Sequence, residues 1–454
     1  MKLAVVGAGW AGLAAAVALK SHGATVTVFE AAPLAGGRAR RVDDLNMGAI
    51  DNGQHLLLGA YSETLTLLKQ LHPGYPSGEF LQRTPLHLES ADGAFCLKAV
   101  NVAAPFHTLL GLLNARGLSW QERWQAIRMV VLLKRQRWQA PAMLSVAQLL
   151  KQHQQSARLC RRLWIPLCLA SLNTSTEQAC AQLFLNVLRD SLDAPRAHSD
   201  MLVPRVDLTA LWPQAAADIV TMRYRHIVRE ICPTAATVSI DGEAFDGCVL
   251  ATPPYACARI LKPRESSGAS DTLLAQLGAF EYRSIATLTL QLEVPWNPPQ
   301  PILLLDEDSA RGHFGQWVFT RPQANDQLTV VISDSADYLK HERASFVDNI
   351  AMQISEQAQR HPISLRSAQP IMPAVRAHRL IVEKRATFAA VPGLQRPSNQ
   401  SPWPRLSLAG DWTDTGYPAV LEGAVRSGKQ AARTLIETLH RSNDHRDADR
   451  SMTP

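Results

Sequence analysis

A strand, a glycine-rich turn and a helix follow one another at the start of the chain, and this order constrains the fold most. Residues 3–6 are uniformly apolar and predict a buried strand, and residues 11–22 predict a helix rich in alanine and leucine. A G-x-G-x-x-G pattern begins between the strand and the helix, with Gly7 and Gly9, and ends inside the helix, with Gly12. A second short strand follows. The β-α-β unit predicts an α/β chain with a Rossmann-type dinucleotide-binding domain.

Each glycine of this turn has a physical role in binding a dinucleotide. Gly7 permits the tight turn, Gly9 lets the backbone approach a pyrophosphate, and Gly12 lets the helix pack closely on the strand. The amides at the helix start, Ala11 among them, then face the phosphates. Glu30, at the end of the second strand, can accept hydrogen bonds from ribose hydroxyls, which favours FAD or NAD over NADP. The alternative is an ordinary βαβ turn without a ligand.

A second glycine-rich segment, Ala35-Gly36-Gly37-Arg38, follows the acidic residue. Gly37 carries no side chain, and the guanidinium of Arg38 can contact a phosphate through two hydrogen bonds. This segment is therefore predicted to extend the pyrophosphate site. A glycine turn with a solvated arginine is the alternative.

A third motif lies about 370 residues further on, near the carboxyl end. An apolar strand is predicted to end at Gly410-Asp411, and Pro418 is predicted to be the first residue of a helix that continues through Ala419 and Val420. Exposed amides at a helix start attract negative charge, so this helix is predicted to hold the cofactor's other end. A plain core helix is the alternative.

The G-G-R-A segment, with Glu30 and the A-G-D-W ending at 409–412, resembles the FAD-dependent amine oxidase and phytoene desaturase superfamily. The resemblance implies that the cofactor is FAD. Residues 222–254 are similar to the middle flavin-domain segment of that superfamily, which implies that Val228 contacts the adenine.

The same resemblance implies a flavin domain assembled from separate segments, beside a mixed α+β substrate domain. The FAD-binding domain is predicted over 1–75, 205–262 and 385–440, and the substrate-binding domain over 76–204 and 263–384. Residues 441–454 are rich in charge and poor in apolar side chains, and are predicted to be disordered.

A narrower resemblance appears at residues 51–61, D-N-G-Q-H-L-L-L-G-A-Y, which are similar to the bacterial hydroxysqualene dehydroxylases. The W-x-P segment at 164–166 and the G-D-W-T-x-T-G-Y-P segment at 410–418 resemble the same family. This resemblance implies reductive removal of an allylic hydroxyl, which converts hydroxysqualene into squalene for squalene and hopanoid biosynthesis. It also implies a long-chain isoprenoid substrate and a transient contact with the upstream isoprenoid-condensing enzymes.

In such a reaction, reduced flavin delivers a hydride to the allylic carbon while an acid protonates the departing hydroxyl. His55 is the first candidate for this acid, because the resemblance puts it near the flavin and imidazole titrates near neutrality. Tyr417 and Asp51 are weaker candidates. Asp51 is also a candidate for a structural hydrogen-bond acceptor, and His55 for a packed residue without a catalytic role.

Three other functions remain open at this point. A carotenoid- or squalene-type desaturase would share the fold but transfer hydride toward the flavin. An amine oxidase would hold an amine between aromatic faces, for which Trp412 and Tyr417 are available. A non-enzymatic protein that escorts prenyl chains would need no carboxyl-terminal flavin motif. The apolar run at 163–172 is either ordinary core or the wall of a tunnel for a long hydrocarbon.

Basic residues concentrate between residues 116 and 138, where six basic side chains and one acidic account for most of the net charge of +6. A local excess argues against a nucleic-acid partner and favours a cytoplasmic protein that contacts the inner face of the cell membrane. Apolar side chains fall near helical spacing in the same stretch, namely Trp120, Trp124, Ile127, Val131 and Trp138. A buried stripe beside a solvated basic face is the alternative.

The cysteines argue against a metal site and against disulfides. The chain has seven, with no C-x-x-C pair and no Cys/His cluster at zinc spacing, so we expect reduced thiols and no bound metal. No apolar run approaches the roughly 18 residues that span a bilayer. A soluble or peripheral protein is therefore predicted.

Overall fold

The computed structural model describes residues 1–74, 76–104, 106–262, 267–338, 343–362 and 371–451. The strands, in chain order, are β1 Lys2–Val6, β2 Thr25–Phe29, β3 Arg41–Asp44, β4 Gly48–Asp51, β5 Leu57–Leu58, β6 Leu81–Thr84, β7 His87–Glu89, β8 Cys96–Lys98, β9 Met201–Pro204, β10 Thr221–Arg223, β11 Ile231–Pro233, β12 Val238–Ile240, β13 Glu243–Phe245, β14 Gly247–Leu250, β15 Tyr282–Leu292, β16 Ile302–Leu304, β17 Trp317–Arg321, β18 Ala324–Ser333, β19 Val375–Phe388 and β20 Leu406–Leu408.

The helices surround these strands. In chain order they are α1 Trp10–Ser21, α2 Ser62–Leu71, α3 Ser77–Phe80, α4 Phe106–Leu113, α5 Trp120–Arg135, α6 Val146–Gln152, α7 Ala157–Leu159, α8 Ile165–Leu172, α9 Ala181–Leu192, α10 Leu208–Leu211, α11 Pro213–Asp218, α12 Pro254–Ile260, α13 Gly268–Gly278, α14 Arg343–Arg360 and α15 Leu421–Ser451. One π-helical turn, Cys160–Trp164, leads directly into α8.

A five-stranded parallel sheet has the order β10-β2-β1-β14-β20. Its central strands are buried on both faces, which explains their uninterrupted apolar sequences. Helix α1 packs against α15 so closely that a Cβ on Gly428 would lie 2.0 Å from the carbonyl oxygen of Ala11. The predicted Rossmann-type α/β architecture is confirmed.

The second large sheet is antiparallel, with the order β16-β17-β18-β15-β19. On one face, Leu288, Val330 and Val318 pack with the apolar residues of α14. Side chains alternate between the faces of a strand, so the neighbouring row, Thr287, Val331 and Trp317, lies on the other face. That face is turned toward the rest of the protein, and Trp317 belongs to its main core.

The strands of the parallel sheet come from three separate stretches of chain, near residues 2–29, 221–250 and 406–408. The antiparallel sheet comes from 282–388. We propose the same division into a discontinuous FAD-binding domain and a substrate-binding domain that the sequence predicts.

Two expectations about the carboxyl-terminal helix are wrong. Helix α15 begins at Leu421, because the chain first makes a turn in which the amide of Val420 donates to the carbonyl oxygen of Pro418 at 2.8 Å. The helix also continues to Ser451 through most of the segment predicted to be disordered. Propagating a packed helix costs far less than nucleating one, so a charged extension can remain helical. Residues 452–454 lie outside the described residues.

The predicted aromatic stripe of residues 116–138 divides between surface and core. Ile127 and Trp138 are buried, and the indole N–H of Trp138 donates to Asp193 at 2.9 Å. This correction follows from geometry, because α5 ends at Arg135 and Trp138 turns inward with a φ of 58°. The remaining members, Trp120, Trp124 and Val131, are exposed at 67%, 60% and 36%.

A buried carboxylate ties the carboxyl-terminal helix to α2. Glu422 is completely buried and accepts hydrogen bonds from the backbone amides of Glu63 and Thr64, both at 3.0 Å. It also accepts from the hydroxyl of Thr64 and from Nε of Arg426, both at 2.8 Å. Negative charge at a helix start is favourable, so Glu422 fixes α2 and the segment that precedes it.

Replacing Glu422 with alanine should therefore lower the free energy of unfolding by about 3 kcal/mol, because several buried donors lose their acceptor. Urea unfolding followed by circular dichroism measures the change. Glu437→Gln, at an exposed position of the same helix, is the control and should change stability by less than about 0.5 kcal/mol. Equal stabilities for the two variants would contradict the role given to Glu422.

Candidate functional site

The glycine-rich turn between β1 and α1 leaves no space for side chains. Gly7 has a φ of +105°, and a Cβ there would lie 2.8 Å from the carbonyl oxygen of Ala251 on the neighbouring strand connection. A Cβ on Gly12 would lie 1.9 Å from the carbonyl oxygen of Gly7. Gly9 precedes α1, and no described side chain caps this helix start. The first amides of the helix, including that of Ala11, are therefore available to a pyrophosphate.

Glu30 is held beside this turn by two backbone amides. Its Oε2 accepts from the amide of Ala8 and its Oε1 from the amide of Ala32, both at 2.7 Å. These bonds orient the carboxylate at the end of β2, next to the helix start. The remaining lone pairs of its oxygens suit ribose hydroxyls, as the sequence predicts.

The second glycine-rich segment lies directly against the first. A Cβ on Gly37 would lie 2.9 Å from Cα of Gly9, so bulk is excluded from both. The guanidinium of Arg38 donates to the carboxylate of Asp411 at 2.7 Å and to the carbonyl oxygen of Ala386 at 2.5 Å. Burial opposes the charge of Arg38, but the carboxylate of Asp411 outweighs it and raises the pKa of Arg38. The ion pair thus joins motifs from opposite ends of the chain.

Val228 lies on a loop between β10 and β11. Its side chain is buried in the main core. Its backbone N–H and C=O make no hydrogen bond within the part of the chain that the structure describes. Unpaired backbone groups are unfavourable away from water, and the edge of an adenine ring can both donate and accept a hydrogen bond.

Arg396, which the sequence analysis missed, holds the loop that contains the closing motif. Its guanidinium donates to the carbonyl oxygens of Tyr417 at 2.6 Å, Asp411 at 3.0 Å and Trp412 at 3.2 Å. Burial lowers its pKa to about 10. Within this loop the amide of Gly410 donates to the hydroxyl of Ser427 at 2.9 Å. No local pattern marks Arg396, because its partners are carbonyl groups that exist at every residue.

Ala419 and Val420 form the turn just before α15, so the first amides of that helix follow them directly. Together these features fit FAD. They are the two glycine-rich segments, the motif near the carboxyl end, the oriented carboxylate of Glu30 and the unpaired backbone at Val228. The predicted cofactor-binding residues lie in this arrangement, and their individual contacts with the cofactor stay predictions.

His55 lies beside the antiparallel sheet. A Cβ built on Gly53 would lie 3.7 Å from Nε2 of His55 and 3.8 Å from the hydroxyl of Thr287. Burial, aided by the positive charge of Arg38, lowers the pKa of His55 to about 4. This direction favours a neutral imidazole at pH 7, and the role of His55 stays a prediction.

The other two candidate acids have structural partners. Oδ1 of Asp51 accepts from the amide of Leu208 at 2.9 Å, at the start of α10, and burial raises its pKa to about 6. The hydroxyl of Tyr417 donates to the carboxylate of Asp190, while the guanidinium of Arg426 lies 5.0 Å from its ring. Burial and Asp190 raise the pKa of Tyr417.

A narrow cavity of about 100 Å³ lies between α8 and the antiparallel sheet. Its apolar lining is Ile165, Pro166, Leu169, Leu305 and Trp317. Glu307 also lines it. This residue is exposed, and desolvation beside the cavity raises the pKa of its carboxyl to about 7 although Tyr338 donates to it at 3.2 Å. The sequence analysis missed Glu307, because only its place beside the cavity in the folded protein distinguishes it from other surface glutamates.

A family model described as flavin-containing amine oxidoreductase matches residues 10–436. The chain belongs to this family. FAD is its cofactor, and the protein is an FAD-dependent oxidoreductase. Two curated relatives identify the family more specifically, and a solved structure supports the fold.

A hydroxysqualene dehydroxylase from Rhodopseudomonas palustris is 30% identical over 95% of this chain and 97% of its own length. One from Sinorhizobium fredii is 28% identical over 94% and 96%. The chain is thus a member of the hydroxysqualene dehydroxylase family, as its motifs suggested. Among solved structures, an oxidoreductase from Methanosarcina mazei matches with a TM-score of 0.71 at 16% identity, over 95% of this chain and all of its own, which supports the fold.

Gly12→Ala should abolish flavin retention, because the added methyl group meets a backbone oxygen at the turn. The ratio of visible flavin absorbance to protein absorbance after purification measures retention. Gly278→Ala is the matched control, since a Cβ at that position meets no atom within 4 Å. Circular dichroism separates loss of flavin from loss of fold. Full flavin content in folded Gly12→Ala would exclude the proposed pyrophosphate site.

Proposed function

We propose that the protein removes the hydroxyl of hydroxysqualene by FAD-dependent reduction and so forms squalene. The full-length similarity to hydroxysqualene dehydroxylases carries this proposal. This reaction would provide squalene, including squalene for hopanoid biosynthesis. Contact with upstream isoprenoid-condensing enzymes is part of the same proposal.

The face of the antiparallel sheet that is turned toward the rest of the protein favours a long apolar substrate. Thr287, beside His55, pairs with Val331, which pairs with Trp317, which in turn pairs with Leu304. Neighbouring strands lie about 4.8 Å apart, so this row extends roughly 14 Å across the sheet. Its far end adjoins the cavity beneath α8. A C30 isoprenoid with a central hydroxyl has two apolar arms, and a row of this length matches one of them.

Bound and reduced FAD supplies the hydride that replaces the hydroxyl. Neutral His55 can orient the hydroxyl through a hydrogen bond, but it holds no spare proton near pH 7. Glu307 lies beside the cavity at the far end of the row, too far away to protonate a hydroxyl that His55 orients. Asp51 and Tyr417 are less suited, because their polar atoms already serve Leu208 and Asp190.

The decisive experiment is anaerobic. The bound flavin is photoreduced, hydroxysqualene is added, the return of the oxidised flavin spectrum is followed, and the extract is analysed for squalene. Stoichiometric squalene with flavin reoxidation is expected. If bound flavin stays reduced, dehydroxylation is excluded, and oxidised enzyme is then tested for desaturation of polyenes, the second candidate function.

The same assay tests His55. If His55 orients the hydroxyl, His55→Ala should slow the single-turnover formation of squalene by about tenfold or more. Full turnover in His55→Ala would remove His55 from the mechanism.

We also propose that α5 rests on an anionic membrane surface. Trp120, Trp124 and Val131 are exposed on one face of this helix, and Arg128 and Arg135 are exposed at positions that continue it. Indole rings beside arginines suit the headgroup region of a bilayer. Within the described ranges, none of the helices combines the length and apolar character needed to cross a bilayer.

The holoenzyme should float with vesicles containing about one-third anionic phospholipid, and less with neutral vesicles. Replacing both Trp120 and Trp124 with alanine should weaken this binding about tenfold or more. Val294→Ala with Met352→Ala, at exposed apolar positions elsewhere, is the control and should float normally. Unchanged flotation of the tryptophan variant would exclude α5 as the contact.

A further inference from the structure

The hairpin of β7 and β8 brings a cysteine into a cluster of charged side chains outside the flavin site. Cys96 pairs with Glu89 across the hairpin, and His87 lies two residues before Glu89 on the same face. Sγ of Cys96 lies 3.4 Å from Nε2 of His87, and that nitrogen lies 3.0 Å from Oε2 of Glu89. The sequence suggested no such cluster, because its members become neighbours only through strand pairing.

Two further cationic or protonatable groups approach the hairpin from other elements. Arg116, which forms a backbone bridge with Cys96, donates to Oε1 of Glu89 at 2.8 Å. His361, after α14, lies with its Nε2 3.3 Å from the same oxygen. Glu89 is buried, whereas Cys96 is only half-buried.

We propose that Cys96 is a thiolate nucleophile at neutral pH, held by His87 and Arg116, and that it is a modification site for soft electrophiles of the hydroperoxide class. Thiolates, not thiols, are the reactive form, and cationic neighbours stabilise them. Glu89 and Cys96 both approach Nε2 of His87, so they share its N–H, and the carboxylate favours the protonated imidazole. This inference does not depend on the proposed dehydroxylation.

The electrostatics agree with this geometry. Burial alone would raise the pKa of Cys96, but His87 and Arg116 outweigh it and hold the pKa below its usual value. Cys96 and then Glu89 raise the pKa of His87 to about 9. Cys160 is equally half-buried but has no cationic partner among the described residues, and burial raises its pKa. The chain thus contains its own reference thiol.

The reaction with a hydroperoxide balances within the cluster. The sulfur of Cys96 attacks one peroxide oxygen, so that an S–O bond forms and the O–O bond breaks. The sulfur loses two electrons and the peroxide gains them. The departing oxygen takes the proton of His87, which leaves water or an alcohol, a neutral imidazole and a sulfenic acid on Cys96.

A metal ion is less suited to this cluster. His87, Glu89 and Cys96 do lie close enough for their ligand atoms to surround one ion. Both oxygens of Glu89 are already taken, however, by His87, His361 and Arg116. The guanidinium of Arg116 would also repel a dication.

The test measures alkylation of the flavin-bound protein by iodoacetamide at pH values from about 5 to 9, with peptide mass spectrometry. The rate at Cys96 should fall much less between pH 8 and pH 6 than the rate at Cys160, which should fall about tenfold per pH unit below its pKa. His87→Gln and Arg116→Gln should each slow Cys96 at pH 6 about tenfold or more. Dimedone should trap a sulfenic acid after peroxide treatment, and not in Cys96→Ser.

The proposal is overturned if wild-type Cys96 follows the same pH dependence as Cys160, an outcome that requires no variant to fold. Stoichiometric binding of Zn²⁺ that Cys96→Ser abolishes would also overturn it, in favour of a metal site.

Discussion

The backbone contact between α1 and α15 is the constraint on which the rest of the structure depends. Gly428 approaches the carbonyl of Ala11 so closely that any side chain would separate the two helices. The helices come from opposite ends of the chain, yet both follow the carboxyl ends of parallel strands of one sheet, β1 and β20, which are separated by β14. Close packing of α1 on α15 therefore brings the predicted flavin-binding motifs together and fixes the two ends of the chain.

The same packing places the closing motif where the ion pair of Arg38 and Asp411 can form. Arg396 then orders the loop between Asp411 and Tyr417, and Glu422 anchors α2. These polar contacts are buried or partly buried, so a donor or acceptor among them would be costly without its partner. They connect the cofactor site to the segment that carries His55 and to the sheet that would line the substrate's path.

Much of this arrangement could be predicted from local patterns. The G-x-G-x-x-G turn, Glu30 and the G-G-R segment each act through backbone geometry over a few residues, and such geometry is encoded locally. The aromatic stripe of residues 116–138 was less predictable. Helical spacing placed Trp138 with Trp124, but the helix ends before Trp138, and a hydrogen bond to Asp193 turns its indole inward. Helix ends are the least certain feature of a periodic pattern.

The Rossmann-type fold and the family can be recognised from the sequence, and the FAD site can be predicted from it, because these depend on glycine spacing and on apolar strands that are contiguous in the chain. The shifted pKa values of His55 and Cys96 arise only in the folded protein. A pKa depends on burial and on neighbouring charges, and here those neighbours come from other segments of the chain. The same imidazole or thiol in a short peptide would keep its ordinary pKa, so the fold around each group lowers it.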